Sequence, residues 1–156
     1  MPINFPNVFD SHICFAPRLL GLLQGVDRPL GKCGACAHER QLTREEFTTL
    51  SIPVEVKGHP LKSMQDALDH FFRWEDVDFG IECPDCPVQA LSSQRRHLLE
   101  SYPTVLCLVL MRWIGDENAV ASHRMHMARQ LKIDDQRYSI FSVVVQRGTA
   151  HAGHYW

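Results

Sequence analysis

Hydrophobic positions follow a helical period after residue 63. Ser63 directly precedes the periodic stretch, and Asp66 lies three residues after Ser63. This spacing is the pattern of a capped helix start. The apolar residues at positions i, i+3, i+4, i+7 and i+8 are Met64, Ala67, Leu68, Phe71 and Phe72. The sequence therefore predicts an amphipathic helix whose apolar stripe, including both phenylalanines, is buried in a core.

A strand period precedes this helix. Apolar and polar residues alternate over residues 49–56, and the apolar members are Leu50, Ile52, Val54 and Val56. Alternation of this kind predicts a strand with one buried face. Pro53 cannot donate a ladder hydrogen bond, so we expect an edge strand or a bulged one.

Two further runs are strongly apolar. Residues 105–111 are continuously apolar and come shortly after Pro103, which predicts a strand buried on both faces in the middle of a sheet, with Cys107 as a small core residue. Residues 138–145 are rich in β-branched side chains and predict a second strand, ending at the turn Arg147-Gly148. Two stretches stay open: residues 9–31 fit a short helix or an irregular lead-in, and residues 123–127 fit either a helix or a strand.

Composition limits the class of protein. A chain of 156 residues with 45% hydrophobic content is long enough for one domain with a core. Its net charge is −2 and its basic residues are scattered, so the charge footprint of a nucleic-acid-binding protein is absent. We find neither a signal-peptide pattern nor an apolar run of membrane-spanning length, and expect a cytoplasmic or nuclear protein without nucleic-acid or membrane partners.

Four of the six cysteines form two pairs with metal-ligand spacing. Cys33-x-x-Cys36 and Cys83-x-x-Cys86 together offer four thiolates, the ligand set of a structural zinc. Pro84 pre-shapes the turn of the second pair. The 46 residues between the pairs exceed the spacing of a short zinc finger, so the metal would close a loop with its own secondary structure. The alternative is two unrelated pairs of buried or redox cysteines; zinc is favoured, because reduced intracellular thiols bind metal rather than form disulfides.

Taken together, and in their order along the chain, the motifs resemble those of the ubiquitin-specific protease family of papain-like cysteine proteases. The two cysteine pairs are similar to the zinc ribbon of that family's fingers. The matching segments further along the chain are the helix that starts at Ser63, the segment from Tyr102-Pro103 to Arg112-Trp113, and the histidine box around Gly148 and Gly153-His154-Tyr155. The resemblance extends from about residue 20 to residue 156.

The resemblance implies an α+β fold that consists of papain-like fingers and a partial palm with a four-cysteine zinc ribbon. Residues 1–156 would form a single partial catalytic domain, with the fingers around residues 33–86 and the palm strands and histidine box at residues 102–156. It implies structural Zn²⁺ on the four cysteines, His154 as the catalytic base, and ubiquitin and ubiquitinated proteins as partners. The parent enzyme would hydrolyse the isopeptide bond at the ubiquitin C-terminus by thiol catalysis.

Departures from the family pattern bear on activity. The sequence contains no glycine-asparagine-threonine-cysteine box, and Cys14 lacks those neighbours. The residue that orients the catalytic imidazole is expected beyond Trp156. Gln146 replaces a frequent histidine, and Ala37 and Pro87 stand where glycine often follows a zinc knuckle. Whether the chain is an enzyme is therefore left open: it is either a fragment of an active deubiquitinase or an inactive ubiquitin-binding or scaffolding protein. A zinc-ribbon nucleic-acid module is a third alternative, which the charge disfavours.

Overall fold

A computed structural model describes residues 17–78, 80, 82–86, 93–114, 119–121, 123–148 and 153–155. Two short helices and a series of short strands make up this part of the chain, which confirms the α+β class. In chain order they are α1 (Pro17–Leu23), β1 (Gly25–Asp27), β2 (Leu30–Cys33), β3 (Glu39–Gln41), β4 (Glu45–Phe47), β5 (Leu50–Pro53), β6 (Glu55–Val56), β7 (His59–Pro60), α2 (Met64–Phe71), β8 (Glu75–Val77), β9 (Ser93–Arg96), β10 (Leu99–Ser101), β11 (Leu108–Met111), β12 (Trp113–Ile114), β13 (Ala119–Val120), β14 (Gln130–Ile133), β15 (Gln136–Ser139), β16 (Gln146–Gly148) and β17 (Gly153–Tyr155).

Helix α2 is the predicted amphipathic helix. Its N-cap is Ser63, whose Oγ accepts a hydrogen bond from the Asp66 N–H at 3.1 Å. Met64, Ala67 and Leu68 are buried, and both phenylalanines are half-buried against the same core. The prediction of the helix and of its buried stripe is confirmed.

The main core is formed by α2, the strand pairs β5–β11 and β14–β15, and the start of β10. Its buried side chains are Leu50, Ile52, Met64, Ala67, Leu68, Leu99, Leu131 and Ile133. Gln65 links α2 to β14 with its side-chain amide, which donates to the Lys132 carbonyl at 2.8 Å and accepts from the Lys132 N–H at 2.9 Å. Helix α2 is thus attached to β14 in two ways: by burial of its apolar face and by the side-chain amide of Gln65, which pairs with the Lys132 backbone as a neighbouring strand would.

Strands β5 and β11 form a parallel pair, with Leu50 opposite Leu108 and Pro53 opposite Met111. The alternating burial of β5 confirms the predicted strand, which ends at Pro53. The prediction for residues 105–111 is wrong in extent and burial: the strand begins only at Leu108, Val109 alone is buried, and Met111 is 44% exposed. Among the described residues β5 is the one strand that pairs with β11, and Leu108 and Leu110 of β11 are half-buried against the main core.

Strands β3, β2, β9 and β8, in that spatial order, form an antiparallel sheet that we call the finger sheet. Its buried positions carry the small residues Gly31, Cys33 and Ser93. Trp74, directly before β8, lies 5.7 Å from the Lys32 ammonium and 5.0 Å from the Arg96 guanidinium, within the range of cation–π contacts. The finger sheet is therefore held by its ladders and by polar and cation–π contacts rather than by a large apolar core.

A buried acid joins the finger sheet to its neighbours. Asp27, 6% exposed, accepts hydrogen bonds from His97 Nδ1 and, at 3.0 Å, from the Leu98 N–H. The other ring nitrogen, Nε2, lies 3.3 Å from Arg95 Nη2, and the ring stacks on Phe71 of α2 with centroids 4.2 Å apart. Because a guanidinium can only donate, Nε2 is the acceptor and the proton is on Nδ1.

The C-terminal part of the chain departs from its prediction. Strand β15 ends at Ser139, and residues 140–145 form no strand in the described structure, although their composition predicts one. Phe141, Val143 and Val145 are 81%, 53% and 47% exposed. Residues 123–127 are neither helix nor strand; they run beside the start of α2, where the Met64 N–H donates to the His126 carbonyl at 3.0 Å. No helix among the described residues is long and apolar enough to cross a membrane.

Candidate metal centre

Four cysteine sulfurs converge at the tip of the finger sheet. Cys33 ends β2, Cys36 lies on the turn after it, and Cys83 and Cys86 belong to a second turn after β8. The four Sγ atoms lie within 4.8 Å of one another, with 3.9 Å between Cys33 and Cys86 and 3.5 Å between Cys36 and Cys83. Each close contact joins one pair to the other, so the fold brings the two predicted pairs to one point.

The local fold of the first pair is a tight turn. The Ala37 N–H donates to the Cys33 carbonyl at 2.9 Å, and the Cys33 N–H donates to the His38 carbonyl at 2.9 Å. Ala37 has a φ of +61°, in the left-handed region that favours glycine. The position where glycine often follows a zinc knuckle thus has a glycine-like backbone here, occupied by alanine.

The sulfur spacing fits a tetrahedral ion. With metal–sulfur bonds of about 2.3 Å, the edges of such a tetrahedron measure about 3.8 Å. The observed 3.5 and 3.9 Å bracket that length. The four side chains of this cluster could therefore hold a metal ion with small adjustments.

The electrostatics of the cluster also favour a cation. Hydrogen bonds from the backbone N–H groups of Cys36 and Ala35 lower the pKa of the Cys33 thiol to about 7. Burial raises the pKa of Cys83, and the neighbouring thiol of Cys36, together with burial, raises the pKa of Cys86 to about 12. One thiolate thus opposes the ionisation of the others, and a bound cation would remove that opposition.

The side chains of His38 and Arg40 connect the two cysteine turns by contacts that do not involve sulfur. Sequence reasoning missed both. His38 Nδ1 lies 2.6 Å from Asp85 Oδ2, and Arg40 Nη1 donates to the Glu82 carbonyl at 2.8 Å. His38 and Asp85 lie within two residues of predicted ligands, and this closeness is the sequence signal that could have identified their contact. Arg40 gave none, because its contact depends on how the two turns meet in space.

The other predicted site residues lie elsewhere. His154 is in β17, opposite Arg147 of β16, with Gly148 opposite Gly153, so the two parts of the predicted histidine box form one antiparallel hairpin. Cys107 is a half-buried free thiol. Cys14, Pro87 and Trp156 lie outside the described residues. The metal cluster and the His154 hairpin therefore have no residue in common.

Comparisons with known proteins give related sequences. No protein-family model matches the chain. Ubiquitin carboxyl-terminal hydrolase 37 of Mus musculus is 32% identical over 112 residues, and the protein of that name from Homo sapiens is also 32% identical over 112 residues. Each match covers 70% of this chain and 11% of the relative. The Gallus gallus protein is 37% identical over 95 residues, which are 60% of this chain and 9% of the relative. The chain thus spans a small part of these relatives.

Solved structures show the fold. A SAGA DUB module with Ubp8, Sgf11, Sus1 and Sgf73 bound to monoubiquitin matches with a TM-score of 0.72 at 22% identity, over 86% of this chain and 32% of that chain. The same module bound to ubiquitin aldehyde matches with a TM-score of 0.72 at 20% identity, over 94% of this chain and 35% of that chain. The described architecture therefore corresponds to about one third of the matched chain in each of these structures.

Proposed function

We propose that this chain, which belongs to the ubiquitin carboxyl-terminal hydrolase family, is the ubiquitin-recognising part of a deubiquitinase domain: fingers and a partial palm organised by one structural zinc. The observation that carries the proposal is that most of this chain matches about one third of one chain in a module solved with ubiquitin bound. The deubiquitinase-related fold is common to both; the binding partner is what we transfer to this chain.

Zinc is proposed on Cys33, Cys36, Cys83 and Cys86. Four thiolates at tetrahedral spacing, with no carboxylate or imidazole in the cluster, form a donor set that zinc prefers. A closed set of four protein ligands leaves no position for water or substrate, so the ion would stabilise the fold and take no part in hydrolysis. These residues would hold the second turn against the first.

His154 is proposed as the base of the parent's hydrolytic reaction. In that reaction a thiol, paired with the imidazole, would attack the carbonyl of the isopeptide bond, and the imidazole would take the thiol proton and then deliver it to the leaving lysine amine. His154 would belong to the palm as a residue of β17, opposite Arg147 of β16. The nucleophile belongs to a sequence box that residues 1–156 do not contain, so we propose that this chain alone binds ubiquitin without cleaving it.

The binding test is a titration of isotope-labelled ubiquitin with the zinc-loaded chain. We expect shifts on the globular body of ubiquitin with a Kd on the order of 100 µM or weaker, since only part of a cleft is present. Cys83→Ser, which removes a ligand, should abolish the shifts, and Cys107→Ser, a thiol outside the cluster, should leave them unchanged. Shifts that survive in zinc-free Cys83→Ser, or no shifts at millimolar folded protein, would contradict the proposal.

A second measurement addresses the alternative, a catalytically inactive ubiquitin-binding or scaffolding protein, with which the absence of a nucleophile box from residues 1–156 is also consistent. We expect no labelling by a ubiquitin probe with a C-terminal electrophile. Labelling of Cys14 that is lost in His154→Ala would instead show a working thiol–imidazole pair. A Gly-Asn-Thr-Cys box in the reading frame before residue 1, with an Asp or Asn after residue 156, would assign the catalytic role to the longer protein.

A further inference from the structure

Two side chains, one on β3 and one just before it, contact the second turn of the metal centre. Arg40 lies on β3, where it faces Gly31 across the ladder, and its guanidinium donates to the carbonyl of Glu82, the residue before Cys83, at 2.8 Å. His38, between the first cysteine pair and β3, contacts the carboxylate of Asp85 at 2.6 Å. Asp85 lies between Cys83 and Cys86, so both contacts end within one residue of a second-pair sulfur ligand.

The second turn has few other attachments. Its own described backbone bond, from the Cys86 N–H to the Cys83 carbonyl, is long at 3.4 Å and internal to the turn. Apart from sulfur contacts, the Arg40 and His38 contacts are the hydrogen bonds and ion pairs that the structure describes between residues 82–86 and the rest of the chain. Residues 82–86 take part in none of the described ladders of the finger sheet, and each of them is half-buried or exposed.

We infer that Arg40 and His38 are positioning residues of the metal centre. Their contacts, which we call the clasp, keep the sulfurs of the second cysteine pair close enough to those of the first pair to bind one ion, and they do so whether or not the ion is present. The inference rests on the proposed metal site, and it explains how four sulfurs lie within 4.8 Å of one another when the ligand pairs are 46 residues apart. Arg40 is the stronger element, because a guanidinium keeps its charge and donates in a fixed geometry. Partners just outside a ligand set commonly change metal affinity by about 10–100-fold.

The first test measures metal release. The zinc-loaded chain is mixed with a chromogenic chelator at one fixed pH, and the release rates of wild type, Arg40→Ala and Arg40→Lys are compared. Arg44→Ala is the matched control, since Arg44 is an exposed arginine whose ion pairs are with Glu46 and Glu100, away from the second turn. We expect about tenfold faster release from Arg40→Ala, partial rescue by Arg40→Lys, and little change in Arg44→Ala; His38→Ala should accelerate release as well.

The second test reads the clasp without metal. In the metal-free chain Cys36 and Cys83, 3.5 Å apart, should be joined readily into a disulfide by a mild oxidant such as diamide. Arg40→Ala should slow this joining several-fold relative to Arg44→Ala. Equal joining rates in these two variants would overturn the clasp, as would equal metal-release rates. Failure of the wild-type chain to bind zinc would overturn the proposed metal site instead, and the disulfide rates would still decide the clasp.

Discussion

The finger sheet and the core around α2 are stabilised by different forces. The buried positions on the strands of the finger sheet carry small residues. In the other region, β5 contributes Ile52 and α2 contributes Leu68, and both side chains are completely buried. Burying one such aliphatic side chain contributes roughly 1.5–3 kcal/mol, and glycine or serine offers almost none of it. The comparison gives a reason for cysteine ligands and polar contacts at the finger sheet, where the buried residues offer little apolar surface.

Removing the metal should have the largest effect and should separate the two regions. Structural zinc contributes an apparent ~10–16 kcal/mol in zinc-finger peptides near neutral pH. After chelation, or in Cys83→Ser, we expect amides of β2, β3, β8 and β9 to lose hydrogen-exchange protection while those of α2 and β5 keep theirs. Cys107→Ser is the control. Equal loss of protection in both regions would show that they unfold as one unit.

Truncating the apolar core should have the opposite distribution. Leu68→Ala is expected to lower the free energy of unfolding by about 2–5 kcal/mol, because the removed atoms leave a cavity beneath α2. Leu22→Ala, at a position that is 41% exposed, should cost much less. Urea unfolding followed by circular dichroism measures both variants. If Leu68→Ala lowered the stability no more than Leu22→Ala, α2 would not be central to the core.

The cap of α2 should contribute a smaller amount. Ser63→Ala removes the acceptor for the Asp66 N–H and is expected to lower the free energy of unfolding by about 1 kcal/mol. Ser139→Ala changes an exposed serine of β15 and serves as the comparison. Because the cap belongs to the apolar region, the zinc-release rate of Ser63→Ala should equal that of wild type. A faster release would join the two regions energetically.

The smallest effect should be a stabilisation at the metal end. Ala37→Gly relieves a left-handed alanine, and after the extra flexibility of glycine in the unfolded chain is subtracted we expect a net gain of about 0.5–1 kcal/mol. Ala35→Gly, at a neighbouring position without positive φ, should be neutral or destabilising. Hydrogen exchange of the zinc-loaded finger sheet resolves the difference. A loss of protection in Ala37→Gly would contradict the strain.

The elements that the sequence predicted well are those in which local pattern and tertiary neighbours agree. Helix α2 has its cap, its period and its core partner within the chain, and β5 keeps its alternation up to Pro53. The predicted strands at residues 105–111 and 138–145 are shorter than their apolar composition indicates. A strand buried on both faces needs neighbours on both sides, and among the described residues only β5 accompanies β11.

The metal centre shows the same division. Spacing alone pointed to the four cysteines that the fold brings together, since ligand chemistry leaves a local signature at each pair. The contact of Arg40 with the second turn leaves no such signature, because it arises only when distant turns meet, and for His38 the signal is only its closeness to the first cysteine pair. His154 remains a prediction: its hairpin is present, and the described residues do not test its role.

The parallel pairing of β5 with β11 has a consequence for the order of folding. Fifty-four residues separate Pro53 from Leu108, and closing a flexible loop of that length costs about 3–4 kcal/mol of chain entropy before the pair contributes any stability. Helix α2 follows β5 after only ten residues and packs on it, so these two elements can associate early, and β11 must join a surface that already exists. Pulse-labelled hydrogen exchange during refolding should therefore find the amides of α2 protected before those of β11.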